Sequence, residues 1–329
     1  MSEKKSMITH FKERFGVDNN LSIEPDFPGA LNIELNNTCN QQCIFCEYHS
    51  PRSPYAKELK SCVMDKEFVC EILSQAWELG IGKKELGLYS AGEVFLYKDF
   101  AEIVRYAKSL GFPYIFVTTN GVLATPKKLI EVINSGLDSI RFSVNAATRE
   151  TYRSMHGRDD FDRVIDNIRC MREYLDKNNI QMNTSVSYVV TKENIEEISK
   201  AKELLKNLVD EILFIPVIGL SKWDKELSER LSLDEYEEKD RVENYNLSCP
   251  IPFNTMYITS AGKVKLCCNT YKTDIETYDL TNDLNLEAAW KSRVYQKYRK
   301  AFIEKNIKGT VCENCRQVKQ GVSRVMMDV

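Results

Sequence analysis

Apolar and polar residues alternate over Ala30–Leu35, the two-residue period of a strand. From Asp65 the period lengthens, and Phe68, Ile72, Ala76 and Leu79 fall on one helical face that Asp65 opens and Gly80 ends. The two patterns then recur. Strands are expected at Glu85–Tyr89, Tyr114–Thr118, Ser139–Ser143, Ser185–Val190 and Glu211–Val217. Helices are expected at Asp99–Ser109, Pro126–Asn134, Phe161–Leu175 and Glu193–Leu208. Six strands alternating with helices predict parallel βα units. Periodicity suits an open barrel and a doubly wound sheet equally.

The pattern changes at both ends. Residues 1–29 form a polar extension, and 218–246 turn charged and helical, as a linker or capping helix with a solvated face. From 247 to 320 a separate small domain is expected. There TMYITSAGKVKLCC makes two short β-like runs around Ser260-Ala261-Gly262, a hairpin signal, and a helix runs from Leu286 to about Lys305.

With 43% hydrophobic residues, 329 positions can bury a full core. Lysine and arginine (45) nearly balance aspartate and glutamate (48), so no strong field draws the chain to nucleic acid or an anionic membrane. No apolar run is long enough to span a bilayer and the N-terminus lacks a secretory signal, so a cytoplasmic protein is expected. In that reducing compartment, eleven cysteines read first as metal ligands rather than disulfides.

Cys39, Cys43 and Cys46 stand as C-x3-C-x2-C on the loop leaving the first strand. Three thiolates on a cubane leave one iron open to a ligand, whereas a structural zinc site wants four ligands, which His49 could complete. This spacing resembles the signature of the radical S-adenosylmethionine (SAM) superfamily, and the likeness spans Ala30 to Val217. It implies a partial (βα)6 TIM-like barrel, a catalytic 4Fe-4S cluster, bound SAM, and a 5′-deoxyadenosyl radical that takes hydrogen from unactivated carbon. It also implies a flavodoxin- or ferredoxin-type electron donor. Phe45 holds the family's aromatic position near the adenine. Ser90-Ala91-Gly92-Glu93 resembles the GGE motif that contacts the methionyl amino group, with alanine for the first glycine. Standing alone, it would read as a βα turn whose glycine supplies positive φ. Ser143-Val144-Asn145-Ala146 lies where the family's ribose contact falls, with Asn145 departing from the usual aspartate, and Asn120 sits in a common family turn. All lie at strand C-termini, where barrel sites are built.

Cys249, Cys267, Cys312 and Cys315 form a C-x17-C-x44-C-x2-C set, for which a four-cysteine zinc site is the open alternative. The layout resembles SPASM/twitch auxiliary domains, in the shorter twitch form with one fully ligated 4Fe-4S cluster. Cys62, Cys70 and Cys170 read as packing residues. His10, His156, Tyr152, Arg153 and Arg158 receive no role.

An auxiliary cluster can accept an electron from a substrate radical. The expected function is therefore two-electron oxidation of an alcohol in a small molecule or sugar. A radical epimerase using Cys268 as hydrogen donor, a peptide-modifying maturase, and a non-catalytic iron–sulfur or zinc module are the alternatives.

Overall fold

The computed structural model describes residues 21–217, 219–233, 249–268, 275–313 and 315. Six strands, β1 (Ala30–Ile33), β2 (Glu85–Gly87), β3 (Ile115–Thr119), β4 (Ser139–Ser143), β5 (Asn183–Val190) and β6 (Glu211–Pro216), lie in sequence order with every pairing parallel. A doubly wound sheet would reverse direction partway. The sequential order therefore settles the choice that periodicity left open, in favour of a partial barrel.

Between the strands run α1 (Lys66–Leu79), α2 (Phe100–Leu110), α3 (Pro126–Asn134), α4 (Arg149–His156), α5 (Phe161–Asn178) and α6 (Ile198–Leu205). Asp65 caps α1 by accepting from the amides of Glu67 and Phe68, and Gly80 ends it in the left-handed region. Its buried face is Val69, Ile72, Leu73 and Ala76, rotated from the expected stripe so that Phe68 and Leu79 sit at the margin. Burying such side chains stabilises the fold by roughly 1.5–3 kcal/mol each. On β1 the alternation divides the two faces: Leu31 and Ile33 join the hydrophobic core, while Asn32 and Glu34 point the other way.

After α7 (Lys225–Leu231), the rest of the expected capping helix, at 234–246, lies outside the described residues. A single turn, α8 (Ile251–Asn254), leads to β7 (Thr255–Ile258), β8 (Lys263–Lys265) and β9 (Glu276–Asp279). The hairpin is not a detached sheet. β7 pairs in parallel with β1, Ala30 opposite Thr255 through Ile33 opposite Ile258, making one nine-stranded sheet. The expected C-terminal helix is two, α9 (Leu286–Trp290) and α10 (Arg293–Ile303), because Ser292 caps a new start by accepting from the Tyr295 amide.

Arg299 on α10 is fully buried, stacked 4.1 Å from the Trp290 ring and 4.8 Å from Tyr295. It donates to the carbonyls of Pro252 (2.9 Å), Trp290 (2.9 Å) and Ile23 (3.3 Å), and the Trp290 indole donates to Asp26 O (3.1 Å). The segment before β1 is thereby pinned to the C-terminal helices. Among the described residues, no helix is long and apolar enough to cross a membrane.

Candidate active site

The cysteine loop leaves β1 and runs beside the end of α4. Gln42 N donates to His156 O (3.1 Å) and Ile44 N to Met155 O (2.9 Å). Gly157 closes α4 at φ 69°, and a Cβ there would lie 3.0 Å from Gln42 O, so glycine suits both the turn and the close approach. Helix α4 has no counterpart among the expected elements, and it positions the loop.

Cys39, Cys43 and Cys46 converge closely enough that ionising either of the others would raise Cys43 further. Burial raises all three thiols, Cys39 to about 11, so they need a cationic partner before they become thiolates. Their surroundings supply donors to sulfur: Gln41 N reaches Cys39 Sγ at 3.4 Å, Asn120 Nδ2 reaches it at 3.6 Å, and His156 Nδ1 stands 3.4 Å from Cys43 Sγ. Thiols ringed by N–H groups fit an iron–sulfur cluster, whose potential such bonds adjust. Among the described residues, no three His, Cys, Asp or Glu are grouped to hold a single metal ion.

The Ser90–Glu93 turn is locked from below. Glu93 is buried, accepting from Phe95 N (3.1 Å), Thr119 Oγ1 (2.6 Å) and Asn120 N (2.7 Å), so its carboxylate is engaged within the fold. Gly92 serves close approach rather than a positive φ: a Cβ would sit 2.2 Å from Asn36 O and 2.4 Å from Asn36 Oδ1. Glu34 Oε2 accepts from Ala91 N (3.1 Å), while Oε1 accepts from Ser260 N (3.1 Å) and Ser260 Oγ (2.8 Å). One buried carboxylate thus joins the barrel turn to the tip of the hairpin, and Cys62 adds an S–H bond to Ser260 O (3.2 Å).

The remaining expected cofactor contacts have partners within the protein. Phe45 packs against the apolar cluster of Met155, Val217 and Leu220. Ser143 Oγ faces Ser187 Oγ at 3.3 Å. Asn120 Nδ2 also bonds Asn40 Oδ1 (2.9 Å), supporting the cysteine loop. Asn145 departs furthest from a ribose contact, because it is buried at φ 55° with Oδ1 accepting from Val189 N (2.7 Å) and Nδ2 3.2 Å from His156 Nε2.

In the C-terminal part, the charges of Cys315, Cys312 and Cys268 bear on Cys249, and burial beside Cys315 pushes Cys312 up to about 12. Cys267 and Cys268 both flank Ile251 and Tyr257. Cys268 also bears on Tyr48 of the first cysteine loop, and Cys267 on Tyr295. Glu34, Asn36 and His156 are the residues that sequence reasoning missed. The polar alternation Asn32, Glu34, Asn36 was the available signal for two of them.

The radical SAM superfamily model matches residues 33–205, and the SPASM iron–sulfur cluster-binding domain matches 249–316. The chain belongs to the radical SAM superfamily and carries a C-terminal SPASM auxiliary domain, which implies SAM and iron–sulfur cofactors. It is 35% identical over 214 residues to a probable GTP 3′,8-cyclase of Saccharolobus islandicus, covering 64% of each chain. It is 32% identical over 250 residues to one of Saccharolobus solfataricus, covering 74% of this chain and 75% of that one. The S. islandicus match therefore spans less than two thirds of that relative. In fold it is similar to Streptococcus suis SuiB bound to S-adenosylmethionine (TM-score 0.64, 16% identity, 83% of this chain and 68% of that one). It is also similar to BtrN in complex with AdoMet and 2-DOIA (TM-score 0.52, 14% identity, 85% and 88%).

Proposed function

We propose that this protein uses one catalytic and one auxiliary 4Fe-4S cluster to oxidise a carbon–hydrogen centre of a peptide or small molecule by two electrons. The observation that carries the reading is the Glu34 bridge, which fixes the hairpin of the auxiliary domain to the turn beside the catalytic cysteine loop. The bound cofactors would supply a reducing electron, a 5′-deoxyadenosyl radical and an acceptor for the second electron.

Cys39, Cys43 and Cys46 hold the first cluster, and Cys249, Cys267, Cys312 and Cys315 the second. Gly92 and the main chain around it keep the barrel turn close to Asn36, so that SAM meets a preorganised wall. Electrons enter from a flavodoxin- or ferredoxin-type donor, in a reducing cytoplasm that keeps the thiols available.

A peptide is the first substrate class to try, because the better-superposing fold, SuiB, has also been solved bound to its precursor peptide (TM-score 0.64). Anaerobic turnover with SAM and a reductant should be run on candidate peptides, on cyclitols and sugars, and on GTP. Loss of two hydrogens from a peptide or alcohol supports the reading, and a cyclised nucleotide overturns it.

Cys268 supports a second reading, hydrogen return from a thiol as in an epimerase, since it bears on both Tyr48 of the catalytic loop and Cys249. A redox-neutral product carrying deuterium from heavy water, lost in Cys268→Ala, would favour it.

A further inference from the structure

We infer that His156 is a positioning residue for the catalytic cluster, donating an Nδ1–H···S hydrogen bond to the Cys43 thiolate in a tautomer that Asn145 selects. The inference rests on the reading that Cys43 ligates iron. His156 is fully buried, and its ring stacks on Tyr152 with centroids 4.0 Å apart and planes 7° from parallel. Buried, with the Asn145 amide donor facing Nε2 at 3.2 Å, the ring has no room for a hydrogen on both nitrogens, so the imidazole is neutral and carries one N–H.

The neighbours decide where that hydrogen sits. Nδ1 faces Cys43 Sγ at 3.4 Å. Nε2 has two neighbours of opposite kind, the Val144 carbonyl at 2.8 Å, which only accepts, and Asn145 Nδ2 at 3.2 Å, which only donates. The Asn145 amide cannot turn over, because its Oδ1 accepts from Val189 N at 2.7 Å. The backbone at φ 55° is one that asparagine tolerates better than most residues.

Two arrangements follow. With a Cys43 thiol, the S–H donates to Nδ1, and Nε2–H donates to Val144 O. With iron on the sulfur, the thiol proton has left to solvent and the sulfur can only accept. The imidazole hydrogen then belongs on Nδ1 and Nε2 receives the Asn145 amide hydrogen, the bond to the thiolate replacing the one that Nε2–H made to Val144 O. No charge is added to the ring. Asn145, expected at the ribose, acts instead at the far nitrogen of the histidine.

A hydrogen bond to a cluster thiolate stabilises the reduced, more negative state and raises the potential. The test is an EPR-monitored redox titration of the reconstituted full chain, together with exchangeable-deuteron hyperfine spectroscopy of the reduced cluster after transfer to heavy water. His156→Phe keeps the ring stack without the N–H, and His156→Asn keeps an N–H near Nδ1. The wild type should show a coupled exchangeable deuteron at Cys43 besides those of Gln41 N and Asn120 Nδ2 at Cys39. His156→Phe should lose that coupling and shift the reduction equilibrium about tenfold towards the oxidised cluster, about 59 mV for one electron. His156→Asn should restore most of both. An unchanged potential and coupling in His156→Phe would overturn the inference and leave the cluster reading standing. Should His156→Phe fail to fold, absence of the Cys43 deuteron coupling in the wild type overturns it alone. Failure of the wild type to give any 4Fe-4S signal at the Cys39 set would sink the underlying reading instead.

Discussion

Glu34 offers the sharpest test of how the two cysteine regions are joined. Its buried carboxylate accepts from two main-chain amides, Ala91 N and Ser260 N, and from the Ser260 hydroxyl. In Glu34→Gln one carbonyl oxygen can serve Ser260, but the amide nitrogen then meets Ala91 N–H, donor against donor. A lost hydrogen bond to a charged group costs about 1.5–3 kcal/mol. In Glu34→Ala both amides lose their partner while the hydroxyl can turn elsewhere, so the cost rises to roughly 2–6 kcal/mol at the usual penalty per buried group. The assay is amide hydrogen exchange. Exchange at Ala91 and Ser260 should accelerate at least about tenfold, since 1.4 kcal/mol is one decade. Glu93 N donates to Thr38 O at 2.8 Å, without using Glu34, and should stay protected. Unchanged exchange at Ala91 and Ser260 in Glu34→Ala would refute the bridge. Equal acceleration of all three amides would reduce Glu34 to a general stability residue.

The full chain should hold about eight irons after anaerobic reconstitution; Cys267→Ala should halve the count and Cys268→Ala leave it unchanged, as read by iron and sulfide analysis. Cys43→Ala should abolish reductive cleavage of SAM to 5′-deoxyadenosine, measured by chromatography. Gly92→Ala puts a methyl group 2.2 Å from a backbone oxygen, so thermal unfolding should show a loss of roughly 1–3 kcal/mol or more, and SAM binding should weaken in calorimetry. Arg299→Met strands the carbonyls of Ile23, Pro252 and Trp290, and limited proteolysis should then cut near Ile23 well before the barrel.

Much of the barrel is legible because βα units repeat two clean periods. Strand Ser139–Ser143 and helix Pro126–Asn134 have the expected bounds. Helix α4 escaped because Arg149–His156 is strongly polar, with only Tyr152, Met155 and His156 buried, so no apolar stripe announces it. The Leu286–Lys305 pattern hid a break because Ser292 sits inside an otherwise continuous helical period. The cysteines are visible as spacing. Their supports are not: Glu34 meets residues 57 and 226 positions away, and nothing local marks such partners. The roles of Asn145 and His156 depend on which atoms face each other, which spacing does not encode.

The pairing of β7 with β1 has a consequence for how the molecule is made. The strand that launches the catalytic loop acquires its second neighbour only from residues translated more than two hundred positions later. Until then a growing chain carries Ala30–Ile33 with one bare edge, a template for adhesion to other chains. Contacts this distant in sequence close slowly. Cutting the gene before Thr255 should therefore yield an insoluble barrel rather than a minimal enzyme, because the last quarter of the sequence completes the first strand.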